Sequence, residues 1–217
     1  MIDSFAELLA MAGVQEMCEL RSRIGFMAYH GGSLEEQTDV IASLAAERSG
    51  ASYYAVLQPT DVQWHIPSHK VGPRSSARLK AFIDHVDVVI TIHGFGRRDH
   101  FTSLLLGGRN RDLADHVAAH LRPRLPDYEV VTELDRMPKE LRGLHPDNPV
   151  NLPTRQGVQI ELPPRIRGSS PIWADWDHTE MVPPMASLID GLVAPGHAST
   201  PGYTDPSYPL TPLRQQG

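Results

Sequence analysis

Four residues of this sequence are suited to act together: His30, Glu35, His93 and Glu161. Each closes or follows an apolar run. His30 ends Phe26-Met-Ala-Tyr29 and opens Gly31-Gly32-Ser33-Leu34-Glu35. His93 ends Val88-Val-Ile-Thr-Ile92, and Glu161 ends Val158-Gln159-Ile160. Two neutral imidazoles and one carboxylate bind Zn²⁺ and leave a fourth position for water. The ion lowers the pKa of that water and polarises a carbonyl. A second, unligated carboxylate can take the proton and pass it to a leaving amine. Gly31 and Gly32 permit the tight turn that lets His30 and Glu35 face one ion. Taken alone, each residue has an ordinary structural reading: a hydrogen-bonded His at a strand end, or a Glu serving a helix dipole. That reading is weakest for Glu161, because an unpaired carboxylate in an apolar strand is costly to bury.

The elements that must carry these residues alternate in type. Apolar runs predict buried strands over 24–29, 86–92 and 157–162, with further strands over 52–57, 101–106 and 128–132. Helices are expected over 5–11, 75–85, 110–121 and 185–193. Ser33-Leu-Glu-Glu36 matches a capping box, with Ser33 as cap and Glu36 reaching back, so a helix is expected from there to about residue 48. Strands separated by helices imply an α/β fold with a mixed, largely parallel sheet. In such a sheet ligands bind at the carboxyl ends of strands. If the three strands are parallel neighbours, the four residues converge. The Pro- and Asn-bearing stretch 138–153 reads as a long loop, of the kind that is often functional.

The chain has 217 residues, with 41% hydrophobic and 21% charged, which is ordinary globular composition and excludes a wholly disordered chain. One catalytic domain is expected over residues 1–193. The remainder, 194–217, has five prolines among Gly, Ser and Thr and reads as a loose tail. The single cysteine, Cys18, excludes a disulfide scaffold. No apolar run is long enough for a membrane helix, and the acidic N-terminus does not resemble a secretory signal, so a cytoplasmic location is the default expectation. The net charge of −6 argues against a general nucleic-acid binder. Residues 93–124 nevertheless carry 6 basic and 3 acidic side chains, a local basic segment on an acidic chain.

The ordered set His30-Gly-Gly-Ser-Leu-Glu35, Ser52-Tyr-Tyr, His65-Ile-Pro-Ser68, Ile92-His-Gly94, Gly107-Gly108 and Gly157-Val-Gln-Ile-Glu161-Leu-Pro resembles the poly-γ-glutamate hydrolase family. That family includes bacteriophage enzymes and bacterial homologues. The resemblance runs from Gly25 to Arg167. It implies a fold similar to zinc carboxypeptidases, with one zinc ion held by His30, Glu35 and His93. It makes Glu161 the catalytic general base and acid. It implies as substrate an amide joining a glutamate side-chain carboxylate to the next amine. The chain departs from the family pattern at Thr154-Arg155-Gln156, where an Asn-Arg-Gly-like run is expected, and at Ile66-Pro-Ser-His69-Lys70, where a Thr-rich run is expected. Residues 168–217 have no counterpart. These departures bear on the substrate rather than on the chemistry.

A substrate with one carboxylate per residue needs fixed cations. Arg97, Arg109 and Arg155 are candidates, with Asn110 beside Arg109 and His65 as a lining residue. Asn110-Arg111 can be read as the Asn-Arg pair that grips a terminal carboxylate in related carboxypeptidases. Trp173 and Trp176 either cover the cleft or anchor the C-terminal segment. The expected activity is zinc-dependent amidohydrolysis of γ-glutamyl bonds on a small or polymeric anionic amide. The alternatives are a peptidoglycan or N-acyl amino acid amidase with the same site, or a non-catalytic binding protein on the same scaffold.

Overall fold

The computed structural model describes residues 4–177 and 180–193, with the side chain of Arg98 excepted. The expected tail over 194–217 lies outside the described residues. The order along the chain is α1 (Ser4–Leu9), β1 (Gln15–Glu19), β2 (Ile24–Gly32), α2 (Thr38–Ser49), β3 (Ser52–Gln58), α3 (Ala77–His85), β4 (Val88–Gly94), β5 (Ser103–Gly107), α4 (Arg111–Leu121), β6 (Glu129–Val131), β7 (Gly157–Leu162) and α5 (Pro183–Leu192). Short helical turns fill several connections, including Lys139–Leu141 and Pro149–Asn151.

The strands form one mixed sheet of seven, in the order β1-β3-β2-β4-β7-β5-β6. The central run β3-β2-β4-β7 is parallel. β5 joins β7 antiparallel, β6 joins β5 parallel, and β1 joins β3 antiparallel. The three strands that carry the predicted chemistry, β2, β4 and β7, are adjacent and parallel, so their carboxyl ends share one edge. β1 has no counterpart in the sequence reading. Its burial merely alternates between partly buried and exposed residues, and no apolar face marks it.

Alternation along the strands divides the core. Phe26, Ile90, Ile92, Val158, Ile160 and Leu162 pack with the helices α2, α4 and α5 on one face. Met27, Tyr29 and Val89 pack with α1 and α3 on the other. His93 and Glu161 alternate with Ile92, Ile160 and Leu162, which sets them on the face away from α2, α4 and α5. Trp173 and Trp176 pack against the first cluster, and each indole N–H is held by a main-chain carbonyl, Arg165 O and Glu180 O respectively. They anchor the segment before α5.

The helix α2 does not begin at a capping box. Its N-cap is Gln37, in the left-handed region at φ 69°, with no side-chain cap. Ser33 Oγ donates instead to Pro59 O at 2.7 Å, and the Glu36 carbonyl accepts from Arg167 Nη1 at 2.7 Å. The turn after β2 is spent on returning Glu35 to His30, and the helix starts only when that turn is complete.

Candidate metal centre and active site

Two backbone devices build the site. First, the β2–β3 register slips between Ala28 and Gly31: three steps on β2 oppose two on β3, from Ala28↔Ala55 to Gly31↔Leu57. Such a bulge re-aims side chains. Tyr29 and His30, neighbours in sequence, therefore both meet the His93 ring, with centroids 4.7 and 5.1 Å away. Second, the chain folds back after β2. The Glu35 N–H donates to His30 O at 2.9 Å, and the Gly32 N–H donates to Asp39 Oδ1 at 2.9 Å. Gly32 has φ +70°, and a Cβ there would run into the Gln58 carbonyl, so only glycine suits this corner.

The result is a buried cluster. Glu35 Oε1 lies 2.8 Å from His30 Nδ1, and Glu35 Oε2 lies 3.2 Å from His93 Nδ1. The Gly94 N–H also donates to Oε2 at 2.9 Å. One donor atom from each of His30, Glu35 and His93 lies within 4.8 Å of the others. Burial disfavours ionisation of Glu35, yet the facing His30 and His93 outweigh it and hold the carboxyl well below its usual range. Burial likewise pushes His93 down, but the Glu35 charge outweighs it and the net shift is upward.

The donor set fits a metal ion. His30 Nε2 lies 2.9 Å from Ile66 O, a pure acceptor, which places a proton on Nε2. His30 Nδ1 faces a carboxylate oxygen 2.8 Å away, a contact that either a proton on Nδ1 or a bound cation satisfies. Among the described residues, the polar contact of the His93 ring is also on the Nδ1 side, and Nε2 is buried without a partner. A hydrogen-bonded outer nitrogen, as at His30, is the usual setting of a metal-ligating His. A His₂-carboxylate set of this kind suits zinc, with a position left open.

Glu161 is paired in register with His93 on the neighbouring strand and is 4% exposed. It is not part of the cluster. Burial, reinforced by the Glu35 charge and opposed by His93 and Gln159, pushes its carboxyl up to about 7. Its Oε1 accepts a hydrogen bond from Gln159 Nε2 at 2.7 Å. The cluster and Glu161 line one cleft of about 470 Å³. Its other wall comes from the long loop, with Lys139, Glu140, Leu141, Gly143, Leu144, His145 and Asn148, and from His65, Ser68 and His69.

Of the candidate substrate contacts, the structure brings only His65 into this cleft. Its ring lies 4.5 Å from that of His30, and burial lowers its pKa. Arg97 is exposed and ion-paired with Glu140, so it meets the cleft only through that partner. Asn110 does not reach the cleft because its side chain caps α4: Oδ1 accepts from the Leu113 N–H at 3.0 Å, and Nδ2 donates to Arg155 O at 2.9 Å. Arg109 does not line the cleft; its Nε donates to Leu144 O at 3.0 Å, on the loop that does. Arg155 lies exposed after the turn, its N–H on Asp87 O. Arg111 is spent on the carbonyls of Leu106, Gly108 and Thr132. Sequence reasoning missed Gln159 and Asn148. Gln159 stands two residues before Glu161 on one strand face, and that period was the available signal.

A mixed sheet flanked by helices, with a buried His-Glu-His cluster at the ends of its parallel strands, is consistent with an α/β fold of the zinc carboxypeptidase-like class. Within that class the chain belongs to the poly-γ-glutamate hydrolase family, whose sequence model matches residues 3–170. The fold is similar to that of a bacteriophage poly-γ-glutamate hydrolase (TM-score 0.71, 18% identity, covering 86% of this chain and 90% of the other). It is also similar to a zinc-free apo structure of YndL (TM-score 0.66, 20% identity, covering 82% and 87%). The sequence matches no curated protein. Among the described residues, no helix is long and apolar enough to cross a membrane.

Proposed function

We propose that this protein is a zinc-dependent amidohydrolase that cleaves γ-glutamyl amide bonds of the kind found in poly-γ-glutamate. The observation that carries the reading is the position of Glu161: a buried carboxylate beside the cluster, in the same cleft, and free of it. His30, Glu35 and His93 would hold the ion. Zinc bound there supplies Lewis acidity, polarising the scissile carbonyl and acidifying the attacking water. Glu161 takes the proton of that water as it adds to the carbonyl carbon. It then delivers the proton to the departing nitrogen as the C–N bond breaks, so a carboxylic acid and an amine leave. Burial raises this carboxyl in the metal-free protein, which makes it the readier of the two carboxylates to take up a proton. Glu35 stays ionised throughout, which keeps the two roles on separate carboxylates. His65 and the 139–148 loop would form the walls against the substrate, with Arg97 and Glu140 at the rim.

The experiment is to incubate zinc-loaded protein with poly-γ-glutamate and, separately, with α-linked polyglutamate, and to count new amines. Release from the γ-linked polymer alone supports the reading. Release from neither polymer, with zinc bound, overturns the substrate assignment.

A further inference from the structure

A chain of hydrogen bonds leads to Glu161 from outside the reacting centre, and its direction can be worked out. The Val150 N–H can only donate, and it meets Asn148 Oδ1 at 3.1 Å. The Asn148 oxygen is thereby fixed as the acceptor, and it also receives the Tyr29 hydroxyl at 3.3 Å. Its amide nitrogen must then be the atom that donates to Gln159 Oε1 at 2.8 Å. That in turn fixes Gln159 Nε2 as the donor to Glu161 Oε1 at 2.7 Å, with Leu141 O as a second, longer acceptor at 3.4 Å. One main-chain N–H thus removes the ambiguity of both side-chain amides.

The chain is buried along its length. Asn148 and Gln159 are each 3% exposed, and Tyr29 is fully buried. Gly143, at φ +64°, lies over the Gln159 amide, and a Cβ there would sit 2.7 Å from Oε1. A long, flexible amide is thus boxed into one orientation.

We infer that Asn148 and Gln159 are positioning residues for Glu161: they hold Oε1 as a fixed acceptor and leave Oε2 as the oxygen that faces the reactants. The inference rests on the proposed role of Glu161. Both line the cleft, but their polar atoms are committed to this chain of hydrogen bonds. They act by removing rotamer freedom from the one group that must shuttle a proton, and proton transfer is sensitive to geometry. A network in which every member is satisfied holds one arrangement; a half-satisfied network does not.

The test uses full-length zinc-loaded protein and three variants. Gln159→Met keeps the length of the side chain and removes the donor. Asn148→Asp keeps the acceptor for Val150 and Tyr29 but cannot donate to Gln159. Each single variant should lower kcat about tenfold or more with KM within about twofold and zinc content unchanged. The double variant should lose no more than Gln159→Met alone, because both break the same chain. Independent losses that multiply, or a kcat within about twofold of the parent, would overturn the inference. A second readout needs no turnover: the Gln159 side-chain amide protons should exchange slowly with water in the parent and at least about tenfold faster in Asn148→Asp. Equal exchange rates would overturn the relay. An inactive zinc-loaded parent would count against the proposed chemistry, and the exchange measurement would still decide the relay.

Discussion

His30 reaches the carbonyl oxygen of Ile66 through Nε2 at 2.9 Å, and this contact turns its other nitrogen onto Glu35. The cluster could hold a cation. An ion that binds the folded chain and not the unfolded one adds to folded-state stability. Zinc at about 100 times its Kd should contribute about 2.7 kcal/mol. For a domain of this size that corresponds to a rise in Tm of about 5–10 °C. Differential scanning calorimetry with zinc and with chelator checks it, and His30→Gln should abolish the rise.

Glu161 should dominate turnover without holding the metal. Glu161→Gln leaves His30, Glu35 and His93 in place, so zinc content is expected to stay near that of the parent. Loss of the general base should lower kcat by about 10²–10⁴. Turnover assays beside elemental analysis separate the two effects.

The same residue predicts a pH dependence of stability in the metal-free protein. Its folded pKa of about 7 lies above the ordinary value of 4.5. Between those two values the folded state keeps a proton that the unfolded state has lost, so stability falls as pH rises through that window. Above the window the loss is complete, about 3 kcal/mol. The amide introduced by Glu161→Gln does not ionise. The stability of this variant relative to the parent should therefore increase by about that amount between pH 4.5 and pH 8. Urea unfolding at the two pH values in chelator measures it.

Gly32 sets the return of the chain from His30 to Glu35. Alanine there combines a left-handed backbone, costing about 1–2 kcal/mol, with a collision against the Gln58 carbonyl. Gly32→Ala should lower stability by at least about 2 kcal/mol and weaken zinc binding, since Glu35 would be displaced from the two imidazoles. Chemical unfolding and competitive zinc titration test the two parts.

Much of the site was legible in the sequence because a strand ends where its apolar run ends. His30, His93 and Glu161 stand at such ends, and adjacency of parallel strands does the rest. The bulge between Ala28 and Gly31 was not legible: it depends on how β2 pairs with β3, which no local pattern records. The Ser33 cap failed for a related reason, since the tertiary need to return Glu35 overrode a local motif. The places of Asn110 and Arg109 were not legible either. Asn110 and Arg109 follow β5 immediately, but β5 runs antiparallel to β7, so its carboxyl end lies beside Gln159 and Gly157 at the start of that strand. β1 stayed hidden because an edge strand with one residue of each pair in solvent leaves no apolar stripe.

The most direct test of the account is zinc stoichiometry in tag-free protein, measured by elemental analysis in the parent and in His93→Ala. The account predicts about one zinc per parent chain and close to none in the variant. Parent protein that takes up no zinc when it is supplied, or a variant that still binds one equivalent, would contradict it.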